Sequence, residues 1–259
     1  MNQSTFNQSV KRLVYASAFF GVTLLVVNFV NRREAAAVDG IVAHIEPLPD
    51  GNFLFTKEDV PKLLESRFEQ PLTAMSLAQV DVERLERVLE EVPFIKEADA
   101  YLDAKGQVHL NLVQREPLLR VMDNNGLDYY LDRSGERMPP SEHYAARVMV
   151  ATGNLPPHTP DFRQRTRSLL KDVFDLAEMI HQDEFLRALI EQIYVNNKGE
   201  MVLAPKVGSQ IIQFGRIRDA AEKLHRLKVF YREGLPYSGW DQYRAFDLRY
   251  KGQVVAKKY

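Results

Sequence analysis

The stretch Asp81–Leu112, DVERLERVLEEVPFIKEADAYLDAKGQVHLNL, changes its hydrophobic period halfway along. Val82, Leu85, Val88, Leu89 and Val92 recur at helical spacing and predict one buried helix face. Asp81 stands where a short carboxylate can satisfy an orphan backbone N–H at the helix start. Pro93 ends the helix, because its ring clashes with the preceding turn and it has no N–H to donate. Beyond it the period falls to two: Ala98, Ala100 and Leu102 alternate, then Val108, Leu110 and Leu112. Ala104-Lys105-Gly106 supplies the turn between them. The stretch therefore predicts a helix feeding an antiparallel hairpin.

Upstream, a helix starting between Thr56 and Asp59 would bury Val60, Leu63, Leu64 and Phe68, with Pro61 tolerated in its first turns. Before that, Ile41–Ile45 reads as a strand, followed by the turn-rich Pro47–Gly51. The order strand–helix–helix–strand–strand is a compact α+β unit with too few strands for a dinucleotide fold.

Downstream of Pro117 the chain is richer in strands: Leu118–Met122, Leu127–Asp132, Arg147–Thr152, Ile193–Asn196, Met201–Ala204 and Ile211–Phe214. A helix from about Asp161 carries Leu169, Leu170, Val173, Phe174 and Ala177 on its apolar face. Another, Arg216–Glu233, turns Ile217, Ala220, Leu224 and Leu227 inward, with Gly234 just past its end. A hairpin closes the chain: Arg244–Tyr250, a turn at Lys251-Gly252, and Gln253–Lys257. The whole predicts a mainly antiparallel β domain with helices.

At the other end, Leu13–Val30 holds eighteen residues without a charge, between Lys11-Arg12 and Arg32-Arg33. As a helix rising ~1.5 Å per residue it would reach roughly 27 Å, about one hydrocarbon layer. It is longer than the core of a cleaved signal peptide, although Ala35-Ala36-Ala37 resembles a cleavage site. A single transmembrane helix at 13–31, after a short segment 1–12, is the expectation. A buried helix of a soluble core is the alternative. The flanking Lys and Arg, two on each side, leave the orientation open.

Composition excludes several functions. Lys+Arg number 34 and Asp+Glu 35. Four of the basic residues precede position 34, so the remainder carries a net of −5, the wrong sign for a phosphate-backbone surface. Without cysteine there is no disulfide, thiolate nucleophile or thiolate metal site. Phosphate-loop, dinucleotide, nucleophile-elbow and zinc-protease motifs are missing. His181 with Glu184 is the best metal pair but has no companions. Ser141-Glu142-His143 places adjacent side chains in different directions, and His158–Asp161 reads as a loop into a helix cap. The expectation is a chain with no catalytic residue, no cofactor, no metal, no nucleic acid and no small-molecule substrate.

Four runs carry a family resemblance: Val92–Ala98, Gln114-Arg115-Glu116-Pro117, Tyr130–Gly135 and Phe246-Asp247-Leu248-Arg249-Tyr250. In order and spacing they resemble the FtsQ/DivIB proteins of bacterial cell division. The resemblance implies a POTRA domain at 38–116 and a β domain at 117–259, both periplasmic, with the N-terminus cytoplasmic and the protein enriched at the septum. It also implies a scaffold that binds FtsB and FtsL among other divisome membrane proteins and helps recruit and regulate septal peptidoglycan synthesis. A POTRA-containing factor for protein export or outer-membrane assembly is the alternative. The Pro47–Phe55 stretch is unusual for the pattern, and the last strand lacks a tryptophan that some members carry.

In the family a partner adds a strand to the edge near the C-terminus. The implied partner-binding residues here are Arg249, Tyr250, Gly252, Val254, Val255, Ala256 and Lys257. Backbone hydrogen bonds contribute about 0.5–1.5 kcal/mol each, so five fall short of the roughly 8 kcal/mol of a micromolar complex. Tyr250 as an apolar anchor and Arg249 as a salt-bridging one are expected to supply the difference, with Lys257 and Lys258 meeting an acidic partner.

Overall fold

A computed structural model describes residues 15, 17, 19–28, 35–68, 70–239 and 242–259. The chain divides into two compact units, one of residues 1–47 and 56–114, the other of 48–55 and 115–259. Leu48–Phe55, which the sequence order assigns to the first block, thus groups with the second unit.

In the first unit, strand β1 (Gly40–Glu46) precedes helices α1 (Asp59–Glu65) and α2 (Val82–Glu90), then β2 (Ile95–Leu102) and β3 (Gln107–Gln114). The sheet order is β1-β3-β2, with β1 parallel and β2 antiparallel to β3. Asp81 caps α2 as expected, its carboxylate accepting the Arg84 N–H at 2.9 Å. Leu85, Leu89 and Val92 are buried with Val108, Leu110 and Leu112, whereas Val82 and Val88 sit half-buried at the border. The hairpin turn is built around Asp103, whose carboxylate accepts the N–H groups of Lys105 and Gln107 at 2.8 and 2.9 Å. The Gln107 N–H first, then the His109 ring and the Lys105 N–H, hold its pKa down to about 2 against the opposing effect of desolvation.

One edge of this small sheet is closed from within. Glu86 on α2 accepts the Ala100 N–H at 2.8 Å and Glu90 accepts the Ala98 N–H at 3.4 Å, so side chains occupy donors that β2 would otherwise expose.

The second unit is a nine-stranded sheet in the order β12-β11-β10-β9-β8-β7-β4-β5-β6. Its strands are β4 (Pro117–Asp123), β5 (Asp128–Asp132), β6 (Arg137–Met138), β7 (Met149–Gly153), β8 (Ile190–Val195), β9 (Met201–Pro205), β10 (Ile211–Gly215), β11 (Tyr243–Asp247) and β12 (Val255–Lys258). Helices α3 (Leu169–Gln182) and α4 (Glu184–Leu189) connect β7 to β8, and α5 (Ala220–Val229) lies between β10 and β11. The sheet is mainly antiparallel, in five of its eight pairings, but β4 with β7, β7 with β8, and β10 with β11 are parallel. The helices explain two of the three, since a parallel pair needs a long crossover and α3–α4 and α5 provide it. The architecture is therefore α+β with a mixed sheet.

Leu119, Val121, Ile193, Leu203, Ile212, Phe214 and Phe246 from the sheet form one core with Leu170, Val173, Phe174, Leu224 and Leu227 from the helices. Helix boundaries differ from expectation: α5 begins at Ala220, after a left-handed Asp219, and not at Arg216. Ser168, not Asp161, caps α3, accepting the Lys171 N–H at 3.3 Å. Gly234 does not stop the α5 helix: its φ is −88°, and the chain runs through a π-turn at Phe230–Gly234 into α6 (Leu235–Ser238). Gly239, at φ +84°, ends that run.

The expected span at 13–31 lies partly outside the described residues. Residues 19–28 are helical and expose Phe19, Phe20 and Leu25. Thr23 and Asn28 turn their polar atoms back to the carbonyls of Phe19 and Leu24, at 2.9 and 3.1 Å. Among the described residues, no helix is long and apolar enough to cross a membrane.

Candidate partner-binding edge

β12 is the terminal strand of the large sheet. It pairs antiparallel with β11 on one side, Asp247 facing Val255, Phe246 facing Ala256 and Ala245 facing Lys257. Among the described residues no strand pairs with its other side. Val255 and Ala256 are half-buried; Lys257 and Lys258 are exposed.

The hairpin is shorter than expected. β11 stops at Asp247, so Arg249 and Tyr250 lie in a connection and Val254 just before β12, not on paired strands, with Gly252 in the turn. The chain departs there because the Leu248 N–H bonds to the Gln213 carbonyl of β10 at 2.9 Å, and because Arg226 gathers the backbone of the connection. From α5, Arg226 donates to the carbonyls of Tyr250 at 2.7 Å, Gln253 at 2.5 Å and Leu248 at 3.4 Å. It is largely buried and lies 3.6 Å from Glu222. Sequence reading missed this residue. Glu222 and Arg226 four apart look like a solvated surface pair, and nothing local shows a partner more than twenty residues downstream.

Arg249 does not project as a free arm. Its guanidinium forks onto the fully buried Asp247, Nε to Oδ1 at 2.9 Å and Nη2 to Oδ2 at 2.7 Å, and also reaches Glu200 at 3.4 Å. Lys257 Nζ lies 3.7 Å from the same Asp247 carboxylate. The arginine fork holds the Asp247 pKa below the ordinary range, and that carboxylate raises the pKa of Arg249. Arg249 lies across Gly215, where a β-carbon would stand 2.8 Å from its Cγ and where φ is +79°. Only glycine suits both conditions.

Tyr250 is 52% exposed, so its ring is available to a ligand although its carbonyl is taken. Lys258 lies over the Tyr243 ring at 5.9 Å, and the Tyr259 hydroxyl meets Ser209 at 2.9 Å. A cavity of about 510 Å³ opens beside the connection, lined by Val229, Phe230, Gly252, Gln253 and Val254 among others. The candidate residues thus separate into an accessible set, Tyr250 and Val254–Lys257, and a buttress, Arg249 on Asp247.

The remaining motifs have structural employment. Ser141 Oγ donates to the Leu54 carbonyl at 2.5 Å and accepts the His143 N–H at 3.0 Å. His181 Nε2 meets Arg133 Nη2 at 3.0 Å, and Arg133 forks onto Glu116 at 2.8 Å.

Fold and edge together define a two-module protein, a small POTRA-like unit followed by a mixed-sheet domain that ends in an open strand. The POTRA-like profile matches residues 43–113. The profile described as FtsQ/DivIB, C-terminal related, matches residues 116–257, more than half of the chain. The chain belongs to the FtsQ/DivIB family. It is 28% identical over 182 residues to the cell division protein FtsQ of Salinibacter ruber, a match covering 64% of this chain and 65% of that protein. The chain thus spans just under two thirds of that relative's length.

Proposed function

We propose that this protein is a bitopic inner-membrane scaffold of the divisome, which captures an FtsB- or FtsL-type partner by strand addition at β12. It contributes to recruiting and regulating septal peptidoglycan synthesis. The carrying observation is the open outer side of β12, on a strand fixed from behind by Asp247–Arg249 and by Arg226. An added strand would gain main-chain hydrogen bonds from β12, while Tyr250 and the Val254–Lys257 side chains select its sequence. The scaffold reading asks for no catalytic group.

Membrane anchoring through 13–31, a cytoplasmic N-terminus and septal enrichment belong to the same reading. Exposed apolar side chains on 19–28, and polar side chains turned back on their own helix, support an apolar surrounding for that segment.

The test is co-purification of an FtsB-type protein with the wild-type chain and with Ala256→Pro, which removes an N–H from β12. Loss of capture from a folded variant is expected; equal capture would refute the edge reading. Depletion should give filaments without septa. Normal septation with loss of outer-membrane proteins would favour the POTRA export factor instead.

A further inference from the structure

A second concave site lies well away from β12, where β4, β7 and β8 begin. It is a cleft of about 470 Å³ between the ends of these strands and the last turn of α3. Its lining includes the apolar Leu118, Met149 and Val150, and a set of basic groups: Arg120, Arg147, Arg187 and Lys206.

These cations are not alike. Arg120 is neutralised by Asp128, at 2.6 and 2.9 Å, and lies over the Tyr130 ring. Arg147 and Arg187 have no carboxylate within ion-pair distance among the described residues. Lys206 Nζ donates to the Arg187 carbonyl at 3.1 Å, which fixes a second positive charge on the same residue. Glu191 is the one carboxylate in the lining, and it too makes no ion pair among the described residues. Three cations with no ion pair among the described residues face one carboxylate, leaving an excess of about two positive charges.

His181, on the wall, senses this field. Burial lowers its pKa first, and the charges of Arg133 and Arg187 lower it further, against a smaller opposing effect of Glu116. The ring is therefore neutral at pH 7 and adds no charge to the site.

We propose that this cleft binds a phosphate-bearing ligand, its dianionic group held by Arg147, Arg187 and Lys206 and its apolar part resting on Leu118, Met149 and Val150. A single carboxylate would leave the cluster half-compensated; a phosphomonoester or a pyrophosphate diester matches its charge, and the arginine forks suit its oxygens. The apolar floor adds a contact for a ligand that carries an apolar part beside its phosphate. The phosphate can come from a lipid headgroup or from a soluble compound, and the two are separable by experiment.

The full chain in neutral detergent is titrated with inorganic pyrophosphate and, separately, with dihexanoyl phosphatidic acid, while NMR follows the His181 ring. Saturable shifts of that ring are expected, with its pKa rising as the bound anion offsets Arg187. Arg187→Glu with Lys206→Glu should weaken the response by at least about tenfold. Arg218→Glu, an exposed basic residue elsewhere, should leave the response unchanged, and partner capture at β12 should survive in both. Saturation at lower concentration by the phosphatidic acid assigns a lipid source, and by pyrophosphate a soluble one. If the double variant does not fold, Arg147→Gln replaces it, with a several-fold weakening expected. No movement of His181 with either probe, or an undiminished response in the charge variants, overturns the proposal.

Discussion

At the scale of single residues, the Asp247–Arg249 pair decides how the end of the sheet is held. Asp247 is fully buried, and a buried carboxylate persists only with a close partner. Arg249 supplies it from the partly exposed side, with Gly215 beneath. Gly215→Ala should therefore lower stability by about 1–2 kcal/mol, from the left-handed backbone alone, and more if Arg249 is displaced. Urea unfolding of the folded variant measures this. Removing the carboxylate with Asp247→Ala strips Arg249 of two charge-assisted bonds and should cost about 1.5–3 kcal/mol. The pH dependence has a definite sign. Asp247 has a folded pKa below its ordinary 3.8, so its contribution is present above that value and lost as pH falls through the folded one. Thermal melts should show stability dropping in this acid range, and Asp247→Asn should flatten that part of the profile. The sequence showed Asp247 and Arg249 only as members of an alternating strand. That they would neutralise each other, instead of presenting an arginine to a partner, depends on the chain leaving β11 between them, which no local pattern reveals.

At the scale of elements, helices use long side chains to manage strand ends and edges. Arg226 of α5 gathers three carbonyls of the β11–β12 connection. Arg226→Ala should speed amide exchange across 248–254 and cost about 1.5–3 kcal/mol, with partner capture weakened; Arg226→Lys should restore only part. Unchanged exchange in that segment would show that the connection holds itself. In the first unit, Glu86 and Glu90 of α2 do for β2 what a further strand would do. Replacing both by alanine uncovers two amides and should promote concentration-dependent self-association, read by sedimentation. Element identity was legible from period and breakers: α2, β2 and β3, and most strands of the second unit, lie within a few residues of their predicted positions. What escaped were the α3 start, displaced because Ser168 rather than Asp161 provides the cap, and the parallel pairings. Strand periodicity is the same in both orientations, so pairing direction depends on which crossover packs where.

At the scale of the whole molecule, chain order and unit membership do not coincide. Leu48–Phe55 belongs with residues 115–259, although 56–114 come between. It is tied there by Ser141 to the Leu54 carbonyl and by Tyr144 to Asp50 at 2.5 Å. The Asp50 carboxylate raises the pKa of Tyr144, so the hydroxyl stays protonated and donating. Ser141→Ala with Tyr144→Phe should release the segment and make it the first site cut in limited proteolysis; resistance equal to wild type would show that packing alone retains it. Family membership was readable from four short runs and their spacing, whereas this exchange of a segment left only a turn-rich stretch of unusual composition. It bears on how the chain acquires its structure during synthesis. Leu48–Phe55 leaves the ribosome long before Ser141 and Tyr144 exist, so it must wait for them while some sixty later residues are made for the first unit. The two units are thus not completed in the order in which they are translated, and a stall between residues 114 and 141 would leave the first unit folded with an eight-residue loop still looking for its place.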